Sequence, residues 1–171
     1  MSSTNDKLIE KLKSLNIIYR EEVELSHDGK SNLYVDVKKA YGYPDIFGLI
    51  CYAIGERIDK RTTCIAASGH GGISPASVLS LRYNFKLALV RERPKGHGRP
   101  TLVDGYEPTR LDKVSIYDDV LTTGETIENI INVIRPYGAE IIGCCVFVKR
   151  KLGDVSLGIP VSYVLTAEDL L

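Results

Sequence analysis

The sequence predicts an α/β protein with a central, mostly parallel sheet flanked by helices. Short segments that are almost entirely apolar alternate with longer segments of helical periodicity, which is typical of parallel strands covered on both faces. With 171 residues the chain is long enough for one hydrophobic core, so we expect a single domain over residues 1–171. Three unusual loops follow predicted strands, at the edge where parallel sheets bind ligands.

The first half of the chain begins with a predicted amphipathic helix. Asn5 or Asp6 can cap it, and its apolar face consists of Leu8, Ile9, Leu12 and Leu15. Alternating side chains then indicate a strand over 32–39, with Leu33, Val35 and Val37 on one side. The elements that follow are a helix from Asp45 to about Arg57, a strand over 62–68, a glycine loop over 68–74 and a helix over 74–84.

The second half continues the alternation. We predict a strand over 87–90, a long loop over 91–112, a strand over 113–120, a helix over 122–138, a strand over 140–150, a short strand over 161–165 and a terminal turn. A 22-residue loop inside a compact domain is uncommon and often functional, so the segment 91–112 is a candidate for a lid.

Composition limits the partners and the compartment. The chain has 22 basic and 22 acidic residues, so no overall charge attracts it to nucleic acid or to a membrane surface. Its four cysteines form no CxxC pair and lie in apolar segments, which favours a reducing compartment. The N-terminal segment lacks the apolar core of a signal peptide. We therefore expect a cytoplasmic protein without a membrane span.

The stretch DDVLTTGET, residues 118–126, carries the strongest chemical signal. Adjacent carboxylates at Asp118 and Asp119 repel each other, and ligand hydroxyls or a divalent cation would relieve that repulsion. Threonines and Gly124 follow where a helix begins, and free backbone N–H groups at such a position bind anions. A ribose 5-phosphate offers both a diol and a phosphate. An ordinary threonine cap on an exposed strand end would explain one threonine but not the run.

The other two loops are weaker signals when each is taken alone. SGHGGIS, residues 68–74, can bring backbone amides close to an anion or can be a tight turn into a helix, and Ser74 stands where a dinucleotide fingerprint needs a glycine. RERPKGHGRP, residues 91–100, can be a solvated surface loop or a lid over a polyanion such as pyrophosphate, because its cations are Arg91, Arg93, Lys95, His97 and Arg99.

Together these motifs resemble a known family. YDDVLTTGET resembles the phosphoribosyl pyrophosphate signature of type I phosphoribosyltransferases. RERPKGHG is similar to the mobile loop of orotate phosphoribosyltransferases, whose pattern is matched by Arg91, Lys95, His97 and Gly98. SNLYVDVKK resembles that family's N-terminal segment near the base, and FVKR places Arg150 where the family has an arginine that meets the orotate carboxylate. The matches extend over about residues 25–151.

The resemblance implies the type I phosphoribosyltransferase fold, with a small N-terminal hood and a long mobile loop. It implies that the protein is an enzyme of pyrimidine synthesis: orotate and phosphoribosyl pyrophosphate give orotidine 5′-phosphate and pyrophosphate, with Mg²⁺ as cofactor. It also implies a homodimer in which the 91–112 loop is shared between subunits.

The resemblance further implies a set of site residues. Catalytic roles fall to Asp118, Asp119, Lys95 and His97. Phosphoribosyl pyrophosphate would be bound by Arg91, Lys95, His97, Asp118, Asp119, Val120, Leu121, Thr122, Thr123, Gly124, Glu125 and Thr126. Orotate would be bound by Tyr34, Thr122 and Arg150, and the pyrophosphate loop would be Ser68, Gly69, His70, Gly71 and Gly72. Mg²⁺ would be held mainly through substrate oxygens and water near the two aspartates.

Four features depart from the family pattern, and one is the N-terminal loop, where the usual lysine is missing or replaced by Lys30. Glu92 stands where a second basic residue is common, Gly71 stands where some members carry lysine, and Glu125 stands where a small residue is usual. Two alternatives to an orotate enzyme remain at this stage. One is a phosphoribosyltransferase for another base, which Arg150 argues against. The other is a non-catalytic phosphoribosyl pyrophosphate sensor, which Glu92 favours.

Overall fold

The computed structural model describes residues 4–19, 23–24, 30–31, 34–93, 101–150 and 155–171. The helices are α1 (Thr4–Ser14), α2 (Lys38–Tyr41), α3 (Pro44–Gly55), α4 (Gly69–Tyr83) and α5 (Glu125–Ile134). The strands are β1 (Ile18–Tyr19), β2 (Val23–Glu24), β3 (Lys30–Ser31), β4 (Tyr34–Val35), β5 (Cys64–Ser68), β6 (Lys86–Val90), β7 (Val103–Gly105), β8 (Lys113–Leu121), β9 (Glu140–Lys149) and β10 (Val161–Thr166). Short 3-10 turns cover Arg135–Tyr137 and Glu168–Leu170.

Six strands form the central sheet in the order β10-β9-β8-β5-β6-β7. All neighbours pair in parallel except β7, which runs antiparallel to β6 at the edge. All five residues of β5 are buried, as expected for a strand covered on both faces. The prediction of a mostly parallel sheet flanked by helices is confirmed.

The two faces of the sheet carry two apolar layers. Ile65, Tyr117 and Phe147 face a layer formed with α1, α3 and α4, which contribute Leu8, Leu12, Ile50, Ile54 and Leu79. The alternate residues Ile116 and Val146 face α5, which contributes Ile127, Ile130 and Ile134. Each fully buried side chain of this size stabilises the fold by about 1.5–3 kcal/mol. These layers hold the carboxyl ends of the strands, and therefore the loops that follow them, in place.

The N-terminal region differs from the prediction. The strand predicted over 32–39 is confirmed only at Tyr34 and Val35, which form β4, and the backbone at Val37 is already helical, with φ −61°. Val35 and Val37 are both buried because a short strand followed by a helical turn also points them inward. Leu33 lies outside the described residues. β1 pairs with β4 and β2 with β3, and these strands together with α2 form the N-terminal hood.

The glycine segment is helical and not a loop. Gly69 has φ +63°, so a glycine takes the left-handed turn out of β5 and α4 begins there, five residues before the predicted start at Ser74. Pro75 lies inside α4 and has no N–H to donate to the carbonyl of Gly71, four residues earlier. The Tyr41 hydroxyl in the hood donates to that carbonyl instead, at 2.9 Å.

Part of the predicted 91–112 loop is a strand, because residues 103–105 form β7. Its return to the sheet is fixed by Asp112, whose side chain is 1% exposed. Later in the chain, α5 begins at Glu125 and gives way to a 3-10 turn that contains Pro136. In the part of the chain that the structure describes, no helix is long and apolar enough to cross a membrane.

Candidate active site

Two of the three predicted loops meet at the carboxyl edge of the sheet. β5 and β8 are neighbours, and the segments that follow them touch. A Cβ placed on Gly71 would lie 2.1 Å from the Asp119 Oδ2, and one placed on Gly72 would lie 3.9 Å from the Asp118 Oδ1. The glycine turn and the carboxylate pair are therefore in direct contact. The absence of side chains on the two glycines makes that contact possible.

The carboxylate pair is electrostatically costly. Asp118 is 8% exposed, and burial, followed by repulsion from Asp119, raises the pKa of Asp118 to about 8. The pair has some support from the backbone, since the Asp119 N–H donates to the Asp118 Oδ1 at 3.0 Å and the Val120 N–H donates to the Asp119 Oδ1 at 2.9 Å. Such a pair is typical of a site that receives hydroxyl donors or a cation.

The short helix α2 brings two functional candidates that the sequence analysis missed. The Lys38 Nζ lies 3.7 Å from the Asp119 Oδ2 and 3.9 Å from the Asp36 Oδ1. Partial burial opposes the charge of Lys38, but Asp119, Tyr34 and Asp36 outweigh it and raise the pKa of the lysine. Burial, and then Asp119, raise the pKa of Tyr41, so its hydroxyl stays a donor to the glycine turn. The pair of lysines after Asp36 was the available signal for Lys38.

The threonine loop, residues 122–126, follows the carboxylates. Gly124 has φ +91°, and a Cβ there would lie 2.8 Å from the Val155 Cγ1, so no other residue fits without rearrangement. Thr122 is half-buried, Thr123 and Thr126 are exposed, and the Glu125 N–H donates to the Thr123 hydroxyl at 3.4 Å. The side chain of Glu125 is exposed at the first turn of α5. The threonines thus surround the N-terminus of a ten-residue helix, which favours an anion there.

Val120 and Leu121 were predicted to bind phosphoribosyl pyrophosphate, and their side chains pack into the core. Their side chains pack in the two apolar layers, and Leu121 is 2% exposed, so Leu121 offers a ligand only its backbone groups. The Leu121 carbonyl accepts a bond from the Arg150 N–H at 3.0 Å. This bond holds Arg150, which is predicted to bind orotate, next to the threonine loop. Partial burial lowers the pKa of Arg150.

The structure describes some of the remaining predicted residues, and others lie outside the described ranges. Tyr34 is half-buried in the hood, with its ring 6.1 Å from that of Tyr19. Ser68 is buried and His70 is exposed at the glycine turn. Arg91 forms an ion pair with Asp104, and both line an open cavity of 440 Å³ that reaches Ser68 and Gly69. Lys95, His97 and Arg99 lie outside the described residues.

The acidic residues present suit a metal ion that arrives with its substrate. Within the described ranges, no cluster of three or more histidine, cysteine or acidic side chains could hold an ion alone. Asp118 and Asp119 offer two carboxylates, and Mg²⁺ is usually bound by one or two carboxylates together with water and substrate phosphates. The described residues therefore fit Mg²⁺ in that mode and do not form a dedicated metal cage.

Comparison with known proteins defines the class first. Residues 53–156 match the family model of the phosphoribosyl transferase domain. That segment contains the glycine turn, the carboxylate pair and the threonine loop, so the class follows from the same residues that form the site.

Individual relatives then identify the family within that class. The chain is 34% identical over 147 residues to an orotate phosphoribosyltransferase of Methanocaldococcus jannaschii, which covers 86% of this chain and 83% of the relative. It is 30% identical to that of Halobacterium salinarum, over 100% of this chain and 98% of the relative. The crystal structure of orotate phosphoribosyltransferase from Aeropyrum pernix superposes with a TM-score of 0.81 at 27% identity and covers 96% of each chain. The chain belongs to the orotate phosphoribosyltransferase family.

Proposed function

We propose that this protein transfers the 5-phosphoribosyl group of phosphoribosyl pyrophosphate to orotate, giving orotidine 5′-phosphate and pyrophosphate in pyrimidine synthesis. The observation that carries the proposal is the contact between the glycine turn and the carboxylate pair, directly before a threonine loop at a helix N-terminus. A diol-binding group lies between two anion-binding groups there. Phosphoribosyl pyrophosphate has the same order of groups: a diphosphate, a ribose diol and a 5′-phosphate.

The phosphoribosyl end of the substrate is assigned to β8 and α5. Asp118 and Asp119 accept hydrogen bonds from the ribose hydroxyls, which relieves the repulsion between the two carboxylates. The 5′-phosphate takes the backbone N–H groups of residues 122–126 and the threonine hydroxyls, and the dipole of α5 favours its charge. Leu121 and Gly124 keep this loop in shape through core packing.

The reaction builds positive charge on the ribose and negative charge on the leaving pyrophosphate. The carboxylates face the first charge, and cations of the 91–112 loop face the second. Arg91, Lys95 and His97 are assigned to that role by the family pattern. When bound with the substrate, Mg²⁺ would neutralise pyrophosphate oxygens near Asp118 and Asp119. No covalent nucleophile is required.

The base is assigned to the hood side of the site. Arg150 carries a planar guanidinium that can pair with the carboxylate of orotate through two parallel hydrogen bonds. Tyr34 and Thr122 complete the contacts to the ring. We also propose a homodimer in which the 91–112 loop completes the partner's site, and a cytoplasmic location. The location is supported by four cysteines that are all buried and free.

The primary test is a spectrophotometric assay of the purified protein with Mg²⁺, phosphoribosyl pyrophosphate and orotate. Loss of orotate absorbance with matching pyrophosphate release is the expected result, and adenine and uracil serve as control bases. Turnover with a control base alone would replace orotate in the proposal. Binding of phosphoribosyl pyrophosphate without turnover on any base would indicate a sensor.

The base assignment has its own variant. Arg150→Ala should raise the KM for orotate by at least about tenfold more than the KM for phosphoribosyl pyrophosphate, because it removes one charged pair. Arg150→Lys keeps the charge but not the fork, and should recover only part of the loss. Equal changes in both KM values would remove Arg150 from the orotate contacts.

A further inference from the structure

Lys38 is a cation at the centre of the site. The sequence motifs did not identify it as a site residue. It lies on α2 in the hood, and its Nζ is 3.7 Å from the Asp119 Oδ2. That oxygen is also the atom closest to the vacant Cβ position of Gly71. The ammonium of Lys38 therefore lies beside both the ribose-binding carboxylate and the glycine turn that is assigned to pyrophosphate.

Gly71 cannot itself supply a cation to the glycine turn. A Cβ at this residue would lie only 2.1 Å from Oδ2 and 2.4 Å from Cγ of Asp119. Both distances are far below van der Waals contact, so no side chain fits at residue 71 while Asp119 keeps its place. The Tyr41 hydroxyl, one helical turn from Lys38, fixes the same residue through its 2.9 Å bond to the Gly71 carbonyl.

The geometry of Lys38 suits a group that changes partners. Its side chain is 44% exposed, whereas that of Asp119 is 15% exposed. At 3.7 Å the ion pair is longer than the 2.7–2.9 Å of a charge-assisted hydrogen bond, so Lys38 is held loosely. A lysine also has a flexible stem and three donors, which lets it turn from one acceptor to another.

We propose that Lys38 is a substrate-binding residue that pairs with Asp119 in the free protein and turns to the diphosphate of phosphoribosyl pyrophosphate when that diphosphate occupies the glycine turn. This inference rests on the proposed function, because it takes the substrate from it. It adds a cation on the pyrophosphate side that is fixed to the folded part of the molecule and is independent of the 91–112 loop.

The test measures binding directly, without orotate, by calorimetry on the whole protein. Lys38→Met should weaken binding of phosphoribosyl pyrophosphate and of inorganic pyrophosphate by about tenfold, which corresponds to the loss of one charged hydrogen bond. Ribose 5-phosphate should bind as it does to the wild type. Lys38→Arg should restore most of the pyrophosphate affinity, since it keeps the charge.

Lys39→Met is the matched control. Lys39 is the next residue of the same helix and is exposed, and successive helical residues point about 100° apart. Its substitution should leave all three affinities unchanged. In steady-state kinetics, Lys38→Met should raise the KM for phosphoribosyl pyrophosphate and leave the KM for orotate within twofold.

Several outcomes would overturn the assignment. Pyrophosphate affinity of Lys38→Met within twofold of the wild type would remove Lys38 from the diphosphate site. An equal loss for ribose 5-phosphate, or a failure of Lys38→Arg to recover, would make Lys38 a structural support of Asp119. A wild-type protein that binds phosphoribosyl pyrophosphate but never uses orotate would defeat the proposed function alone. A wild type that binds neither phosphoribosyl pyrophosphate nor pyrophosphate would defeat both.

Discussion

Asp112 lies directly before β8, and Asp118 lies in the second half of that strand. Both carboxyl groups are buried, but Asp112 is surrounded by hydrogen-bond donors and Asp118 is not. Asp112 directly precedes β8 and is 1% exposed. Its carboxylate accepts hydrogen bonds from the Lys86 ammonium at 2.8 Å, the Tyr106 hydroxyl at 2.8 Å, the Thr109 N–H at 2.9 Å and hydroxyl at 3.0 Å, and the Thr63 hydroxyl at 3.1 Å. Burial would raise its pKa, but these donors hold that pKa well below the usual range.

Asp118 has the reverse balance. Burial and the neighbouring Asp119 raise its pKa, and the Asp119 N–H at 3.0 Å and the charge of Lys38 offset this only in part. A carboxylate with a full set of donors stabilises the fold, whereas one that is buried with few donors costs stability and has acceptors left for a ligand. The comparison distinguishes an acid whose hydrogen bonds are satisfied within the fold from an acid that can still accept hydrogen bonds from a ligand.

Asp118→Asn is expected to give the largest effect. It should lower kcat/KM by about 100-fold, by analogy with the loss of one group that stabilises the transition state. The free energy of unfolding should instead increase. A raised folded-state pKa favours the folded state below the unfolded pKa of about 3.9 and loses that advantage as pH rises through about 8. The variant should therefore gain stability over the wild type between pH 4 and pH 8.

Urea unfolding at pH 5 and at pH 8, beside steady-state kinetics, measures both effects. Asp119→Asn is the companion variant. A stability advantage that shrinks toward pH 8, or an active Asp118→Asn enzyme, would erase the distinction between the two acids.

Asp112→Asn should be the inverse case. It should lower the free energy of unfolding by about 2 kcal/mol, because the variant loses charged hydrogen bonds and leaves buried donors poorly paired. The kcat/KM of the folded enzyme should stay within twofold. A depressed folded-state pKa stabilises the protein above the unfolded pKa of about 3.9, and that contribution is lost as pH falls. The deficit measured by urea unfolding should shrink below pH 4, and a deficit independent of pH would contradict this role.

Tyr106→Phe should give the smallest effect. It removes one donor to Asp112, the hydroxyl at 2.8 Å, while Lys86, which also donates to that hydroxyl, keeps its own bond to Asp112. The expected loss is about 1 kcal/mol in thermal or urea unfolding, the value of a single hydrogen bond. Tyr163→Phe, at a 40% exposed tyrosine on β10, is the control and should change little. Equal losses in the two variants would mean that the Asp112 network contributes no special stability.

The same contrast shows what the sequence could predict. β5, β8 and β9 were identified because a run of apolar residues is a local pattern, and Asp118 and Asp119 were identified because two adjacent acids before a threonine run are a local motif. Asp112 was not identified, because its partners come from residues 63, 86, 106 and 109 and no local pattern marks it.

Lys38 and β7 were missed for related reasons. The approach of Lys38 to Asp119 joins segments far apart in the chain, and only the folded hood brings them together. β7 has three residues in a Gly- and Pro-rich stretch, and its strand geometry comes from pairing with β6. The glycine turn was predicted as a loop because glycines weaken a helix on their own, whereas tertiary packing against Ala67 and Tyr117 overrides that preference here.

The hydrogen bond from the Tyr41 hydroxyl to the Gly71 carbonyl connects the hood to the start of α4. Pro75 leaves that carbonyl without its helical donor, so lifting the hood would expose an unpaired acceptor at the start of α4. Loss of the Tyr41 hydroxyl should therefore weaken the start of α4 as well as its contact with the hood.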